Sequence, residues 1–185
     1  MKLNIKENKL GLLDRDGVLN VDFVDYVKKP EELEIFPQAL RALKKLEENQ
    51  IKVGICTNQS GIARGIYSEE DLFLIHKKLQ DEVFKAGGGK LNIIYCPNSD
   101  NNDFMRKPNA GMLYAQRDFF GLNNLSSVPF VGDAFRDVLA AKNAGAVPVL
   151  LKTGQGEETI KNYADKLEGV LIFKDLEEAV NQWLA

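Results

Sequence analysis

Asp14-Arg15-Asp16-Gly17 follows directly on the apolar run Leu10-Gly11-Leu12-Leu13. The run reads as a short buried strand, and carboxylates two residues apart at its end project to roughly one side. Gly17 lets the chain turn where a side chain would crowd the site. A buried strand has no packing use for Asp-x-Asp. The pair suits a divalent cation together with a reaction that needs one nucleophilic and one proton-transferring carboxylate. The bland alternative is a polar turn, since Asp and Gly are ordinary turn residues.

Three further polar motifs stand at element boundaries: Thr57-Asn58-Gln59-Ser60, Arg106-Lys107-Pro108, and Asp133 with Asp137. Each alone is weak, a turn or a solvated helix entry. Together they supply what phosphoryl transfer to a carboxylate requires. Asp14 and Asp133 can hold Mg²⁺ through oxygen. A hydroxyl, backbone amides and Lys107 can neutralise phosphoryl oxygens. Without the cation and Lys107, an anionic nucleophile would be repelled by an anionic phosphate.

Strand and helix signals alternate around these motifs, which points to an α/β fold with a parallel sheet covered by helices on both faces. Strands are expected at Leu10–Leu13, Ile51–Cys56, Leu91–Tyr95, Val128–Val131 and Val147–Leu151. Pro37 opens a helix with Ala39, Leu40, Leu43 and Leu46 on one stripe. A polar loop is expected from Thr57 to Gly65. Ser68 and Asp71 have capping-box spacing before a helix that turns Leu72, Ile75, Leu79 and Val83 inward. Pro108 is expected to start a helix stopped by Gly121, and Ala134 one that ends at Gly145. Asp175 and Glu178 begin a last helix. Gly87-Gly88-Gly89 lacks P-loop spacing, and Gly154-Gln155-Gly156 is read as a loop. No linker composition divides the chain, so residues 1–185 are read as one domain. In such a sheet, ligands bind beyond the carboxyl ends of the strands.

The 185 residues suffice for a full core. Apolar content of 44% and charged content of 28% are those of a globular chain. A net charge of −3 speaks against nucleic-acid binding through phosphate attraction. Cys56 and Cys96 make no disulfide framework. Residues 1–9 carry no signal-peptide core and no apolar run is long enough to span a bilayer, so a cytoplasmic protein without membrane partners is expected.

The stretches Leu13–Asn20, Thr57–Gly65, Tyr95-Cys96-Pro97 and Arg106-Lys107-Pro108 resemble the haloacid dehalogenase superfamily of phosphotransferases. Within it they are similar to the branch that holds heptose 1,7-bisphosphate 7-phosphatases and histidinol-phosphate phosphatases. The likeness runs from about Leu10 to Gly156. It implies a Rossmann-like doubly wound parallel sheet, and no stretch between the first and second motifs, or the second and third, is long enough for a folded cap domain. It implies that Asp14 is the nucleophile, forming a phosphoaspartate, and that Asp16 protonates the leaving alkoxide and later activates water. Asp14, the Asp16 carbonyl and Asp133 would bind Mg²⁺. Thr57 and Lys107 would hold the phosphoryl group. Asn58, Gln59, Ser60 and Arg106 would contact substrate, with Asp22 and Tyr26 touching the sugar. Asp137 would either orient the metal ligands from behind or favour its helix N-terminus.

The implied substrate is a small phosphorylated sugar, heptose bisphosphate on the route to lipopolysaccharide heptose, acted on by a monomer. Histidinol phosphate or another sugar phosphate is the alternative substrate. A non-catalytic phosphosugar-binding protein is a third reading, opposed by the presence of every acidic position and Lys107. Zinc-bearing relatives carry Cys-x-His and Cys-x-Cys in the loop before Arg-Lys-Pro. Here those positions are Cys96, Asn98, Asp103 and Met105, so no zinc is expected. Phe104 or Met105 is expected to anchor the loop instead. Ala134 stands where the family often has Lys, with Arg136 as a substitute charge. His76 is expected to be a satisfied histidine without a catalytic role.

Overall fold

The computed structural model describes residues 5–23 and 25–185. Met1 to Asn4 of the N-terminal segment, and Val24 within the segment from Asp22 to Tyr26, lie outside the described residues. Six parallel strands form one sheet: β1 (Leu10–Leu13), β2 (Lys52–Asn58), β3 (Leu91–Cys96), β4 (Pro129–Gly132), β5 (Val147–Leu151) and β6 (Leu171–Phe173), in the order β3-β2-β1-β4-β5-β6. The helices are α1 (Ile5–Asn8), α2 (Pro37–Glu48), α3 (Glu69–Lys85), α4 (Gly111–Phe119), α5 (Phe135–Ala144), α6 (Gly156–Tyr163) and α7 (Leu176–Leu184).

The near-continuous apolar strands follow from burial on both faces. Alternate residues of β1 show it. Leu10 and Leu12 pack with Met112 and Leu113 of α4 and Ala140 and Ala141 of α5. Leu13 packs with α2, α3 and α7 through Leu43, Ile75 and Val180. Ser68 and Asp71 form a reciprocal capping box on α3, and the Asp175 carboxylate accepts the Glu178 N–H at 2.9 Å. No folded cap interrupts the connections among the described residues.

Three boundaries differ from the sequence reading. β2 runs on to Asn58, so Thr57 and Asn58 are strand residues paired with Tyr95 and Cys96 rather than loop residues. Pro108 does not start α4. Residues 104–110 form turns, with Asn109 N–H donating to Arg106 O and Gly111 N–H to Phe104 O, and the helix begins only at Gly111. The segment read as a loop around Gly154-Gln155-Gly156 leads straight into α6, and a sixth strand of three residues follows.

Candidate active site

β1 and β4 are neighbours at the point where the strand order reverses. An open crevice at such a switch point is the natural ligand site of a doubly wound sheet. Asp14 is the first residue beyond β1, and its N–H donates to Val131 O of β4 at 2.8 Å. Asp133 is the first residue beyond β4. Two strand ends thus bring the two carboxylates together from opposite sides of the reversal.

A cavity of about 770 Å³ opens above them. Asp14, Asp16, Asp22, Tyr26, Thr57, Asn58, Gln59, Ser60 and Arg106 all line it. Lys107 comes from below, buried, with Nζ 2.7 Å from Asp14 Oδ2 and 2.8 Å from Asp137 Oδ1. Asn58 clamps the Lys107 main chain: its Oδ1 accepts the Lys107 N–H and its Nδ2 donates to the Lys107 carbonyl, both at 3.0 Å. The amide of Asn58 is therefore engaged with the Lys107 main chain.

Asp137 does two things at once. Oδ2 accepts the Ala134 N–H at 3.1 Å and caps α5, while Oδ1 faces Lys107. Carboxylate oxygens of Asp14, Asp133 and Asp137 lie within 4.8 Å of one another. Both oxygens of Asp137 already face donors, and so do those of Asp14, whose Oδ1 accepts the Arg15 N–H at 2.7 Å and whose Oδ2 meets Lys107. Asp133 differs. Its Oδ2 accepts the Gln155 N–H at 2.7 Å, and its buried Oδ1 has no hydrogen-bond partner among the described residues.

Space around Asp133 is reserved by glycine. A Cβ on Gly17, at φ 76°, would fall 2.0 Å from Asp133 Oδ2, and one on Gly154 would fall 2.1 Å from the same oxygen. The expectation that a side chain at Gly17 would crowd the site matches this packing. Burial, with Asp137 and Asp14 close by, pushes the Asp133 carboxyl up to about 8. Burial also pushes Asp14 up to about 6, against the pull of Lys107. Two crowded, desolvated carboxyls and an unpartnered oxygen form a donor set that a hard divalent cation fits.

Asp16 is treated differently. Burial works to raise its carboxyl, but the Arg15 charge and the donors of Asn20, Arg15 and Gln59 outweigh it and hold the group below the usual carboxylate range. The buried Arg15 contacts Asp16 Oδ1 and Oδ2 through Nη2 at 2.8 and 2.9 Å. Its Nη1 donates to His76 Nε2 at 3.1 Å. Burial and the Arg15 charge lower His76 to about 3, so it is a neutral, satisfied acceptor.

Sequence reasoning missed Gln155. Its backbone holds Asp133, and its side chain donates to Asp22 Oδ2 at 2.7 Å. A short Gly-Gln-Gly stretch carries no signal for that role. Arg64 and Arg136 also line the cavity. Arg64 was visible within the Thr57–Gly65 stretch. Arg136 lies near Asp14, as its suggested replacement of a family Lys requires, and Asp137, Asp14 and Asp133 raise it against the effect of burial. In the loop before Lys107, Met105 is partly buried against the core, whereas Phe104 is 61% exposed beside Tyr114. Met105 is therefore the apolar anchor.

The model of the family described as polynucleotide kinase 3 phosphatase matches residues 13–164. The D-glycero-beta-D-manno-heptose-1,7-bisphosphate 7-phosphatase of Pseudomonas aeruginosa is 41% identical over 166 residues, 89% of this chain and 92% of its own length. That of Pseudomonas putida is 43% identical over 91% and 95% of the two chains. The crystal structure of D,D-heptose 1,7-bisphosphate phosphatase from Bordetella bronchiseptica, complexed with magnesium and phosphate, superposes with a TM-score of 0.89 at 37% identity, covering 95% of this chain and 97% of that one. Fold, strand-end carboxylates and relatives agree: the chain belongs to the haloacid dehalogenase-like phosphatases, in the family of the D-glycero-D-manno-heptose-1,7-bisphosphate 7-phosphatases, and is a phosphoric monoester hydrolase.

Proposed function

We propose that this hydrolase removes the 7-phosphate of D-glycero-D-manno-heptose 1,7-bisphosphate, with Mg²⁺, through a phosphoaspartate on Asp14. The observation that carries the mechanism is the Asp14 carboxylate, 2.7 Å from the Lys107 ammonium on the floor of an open cavity, beside the unpartnered Asp133 oxygen. The substrate is supported by the relatives that bear this activity in their names.

Asp14, Asp133 and the Asp16 carbonyl would hold the cation, which would supply positive charge against the phosphoryl oxygens. A carboxylate oxygen of Asp14 attacks phosphorus while the bond to the C7 oxygen breaks. Asp16 hands its proton to that oxygen, and the sugar leaves as an alcohol. A water then attacks phosphorus, Asp16 takes the proton, and inorganic phosphate leaves with Asp14 restored. Asp16 must be protonated for the first half. A bound phosphoryl group adds negative charge beside it, which opposes the lowering effect of Arg15. Lys107 holds the attacking carboxylate and the incoming phosphate together. Gln59 donates to Thr57 Oγ1 at 2.8 Å, leaving the Thr57 hydroxyl proton free for a phosphoryl oxygen.

We assign no zinc to the loop from Cys96 to Met105. Cys96 is buried, Asn98 Nδ2 donates to Asp103 Oδ2 at 3.0 Å, and Asp103 Oδ1 accepts the Met105 N–H at 2.8 Å. Such a donor set lacks the thiolates and imidazole that structural zinc uses. A monomer in a reducing cytoplasm completes the proposal. Both cysteines are free and buried, and no helix among the described residues is long and apolar enough to cross a membrane.

The test is steady-state kcat/KM, read as phosphate release with Mg²⁺, for both anomers of heptose 1,7-bisphosphate, histidinol phosphate and a panel of sugar phosphates. A heptose bisphosphate preference is expected. A preference for histidinol phosphate would overturn the substrate, and no hydrolysis of any ester would overturn the mechanism.

A further inference from the structure

Behind Asp16 lies a buried chain of hydrogen bonds of which the chemistry above uses only the Gln59–Thr57 link. Tyr67, from the turn before α3, donates its hydroxyl to Gln59 Oε1 at 2.6 Å. The other end of that amide, Nε2, donates to Asp16 Oδ2 at 2.9 Å and to Thr57 Oγ1 at 2.8 Å. Tyr67 and Gln59 are 6% and 2% exposed, so water does not compete freely for these bonds.

The polarity of the chain is dictated end to end. An ionised carboxylate only accepts, so the Gln59 nitrogen must face Asp16. The Gln59 oxygen then points back and needs a donor. Burial pushes the Tyr67 hydroxyl up to about 12, so it keeps its proton at neutral pH. The ring is fixed by packing rather than by that hydroxyl. A Cβ on Gly61 would lie 2.2 Å from the ring, and the edge of Tyr26 meets it with centroids 6.1 Å apart. Tyr67 does not line the cavity, and nothing in its burial requires a polar tip.

We propose that Tyr67 is a positioning residue for proton transfer. By donating to Gln59 Oε1, it fixes which end of the amide faces the site. Gln59 in turn holds Asp16 where it gives its proton to the leaving oxygen. Without the Tyr67 hydroxyl, the buried Gln59 oxygen has no donor, and the amide gains by turning its oxygen toward the Thr57 hydroxyl. That turn would place an acceptor against the ionised Asp16 and, once Asp16 is protonated, one that competes with the leaving oxygen for its proton. The proposal rests on Asp16 being the proton donor.

Leaving-group chemistry separates this role from a merely structural one. The sugar alkoxide is a poor leaving group and needs a proton, whereas p-nitrophenolate leaves without one. The parameter to read is kcat/KM, because it ends at alcohol release and excludes the later hydrolysis of the phosphoenzyme. D16N should lower kcat/KM for heptose 1,7-bisphosphate by about 10²–10⁴-fold, and for p-nitrophenyl phosphate far less. Y67F, which keeps the ring, should show the same discrimination at roughly tenfold, the weight of one hydrogen bond in a charged network. In a Q59L background, adding Y67F should change neither substrate further.

Equal loss on both substrates in Y67F, no loss, or an undiminished effect in the Q59L background would overturn the inference while D16N still discriminates. A D16N variant that does not discriminate would overturn the acid role of Asp16, and this inference with it. Thermal unfolding of Y67F checks that the fold is retained. Should Y67F unfold at assay temperature, Q59L alone must show the discrimination, and equal loss on both substrates would again overturn the inference.

Discussion

The floor of the cavity and its rim are held by different means. On the floor, Asp14 and Asp133 extend strands at the centre of the sheet, and Lys107 is locked between Asp14, Asp137 and the Asn58 amide. At the rim, Asp22 is held by a side chain from a distant turn, and Arg106 by the Asn98 carbonyl at 3.0 Å and Asn101 Oδ1 at 3.2 Å. Backbone ladders fix a strand end to a fraction of an ångström, whereas loop side chains hold one another through single bonds near water. Under the proposed function, the chemistry that needs exact placement sits on the former and sugar recognition on the latter. Changes on the floor should therefore act on kcat and stability together, and changes at the rim on KM.

The sharpest break is expected from Asp14→Asn. The amide keeps the shape and removes the nucleophile, so turnover should fall by about 10⁴-fold or more while the fold is kept. Retained activity would sink the phosphoaspartate. Lys107→Met should come next. It removes the charge that separates two buried carboxylates, which should cost about 3–5 kcal/mol of stability and lower kcat by about 10²–10³-fold. Denaturant unfolding and steady-state kinetics read the two effects. An active, fully stable variant would show that the ion pair is not what organises the floor.

Removing Mg²⁺ with a chelator should abolish activity. Adding it back at about 100 times its dissociation constant should stabilise the fold by about 2.7 kcal/mol. Asp133→Asn should lose most of that shift, because Asp133 carries the unpartnered oxygen. An unchanged Mg²⁺ shift in this variant would place the cation elsewhere.

The same floor and rim divide what the sequence made legible. Leu10 to Leu13 announces a buried strand, and a strand fixes where the next carboxylate stands. Asp14 and Asp133 could therefore be placed from pattern alone, whereas Thr57, read as the start of a loop, still lies within β2. Pro108 carried the usual sign of a helix start, but turns formed by Arg106, Asn109 and Gly111 take up the backbone donors first. β6 escaped notice because Leu171, Ile172 and Phe173 are too few to show a period. Gln155 meets Asp133 and Asp22 only after the chain has folded, and no local pattern encodes contacts at sequence separations of 22 and 133.

His76 tests the back of the floor. Its folded pKa is lowered to about 3 from an ordinary 6.5, so below about 6.5 the unfolded chain takes up a proton that the folded one refuses. This contribution is complete above 6.5 and is lost as pH falls toward 3. At pH 5.5 the loss should be at most about 1.4 kcal/mol, and less where water reaches the ring. H76Q, which cannot titrate, should flatten the stability curve between pH 6.5 and 5. An unchanged slope in H76Q would place that acid sensitivity in the carboxylates.

The smallest effect is expected at the rim, in the loop from Cys96 to Met105. Asn98, Asp100 and Asp103 knit this loop through side-chain bonds, with Asp100 Oδ1 accepting the Asn102 N–H at 2.9 Å. Asn109 Nδ2 closes it by donating to the Asn101 and Asp103 carbonyls at 3.1 and 2.8 Å. These bonds hold the loop through protein groups, and through Asn98 and Asn101 they hold Arg106. Elemental analysis should find no stoichiometric zinc, and a zinc-selective chelator that spares Mg²⁺ should leave activity intact. Zinc bound at Cys96 would refute that account. Asp103→Ala breaks two of the bonds while leaving Asp14 and Lys107 untouched. It should raise KM for heptose bisphosphate several-fold, about 1 kcal/mol, and leave kcat and p-nitrophenyl phosphate turnover nearly unchanged. A fall in kcat on both substrates would mean that the loop braces Lys107 as well as Arg106, and the division between floor and rim would then fail at the one place where they adjoin in sequence.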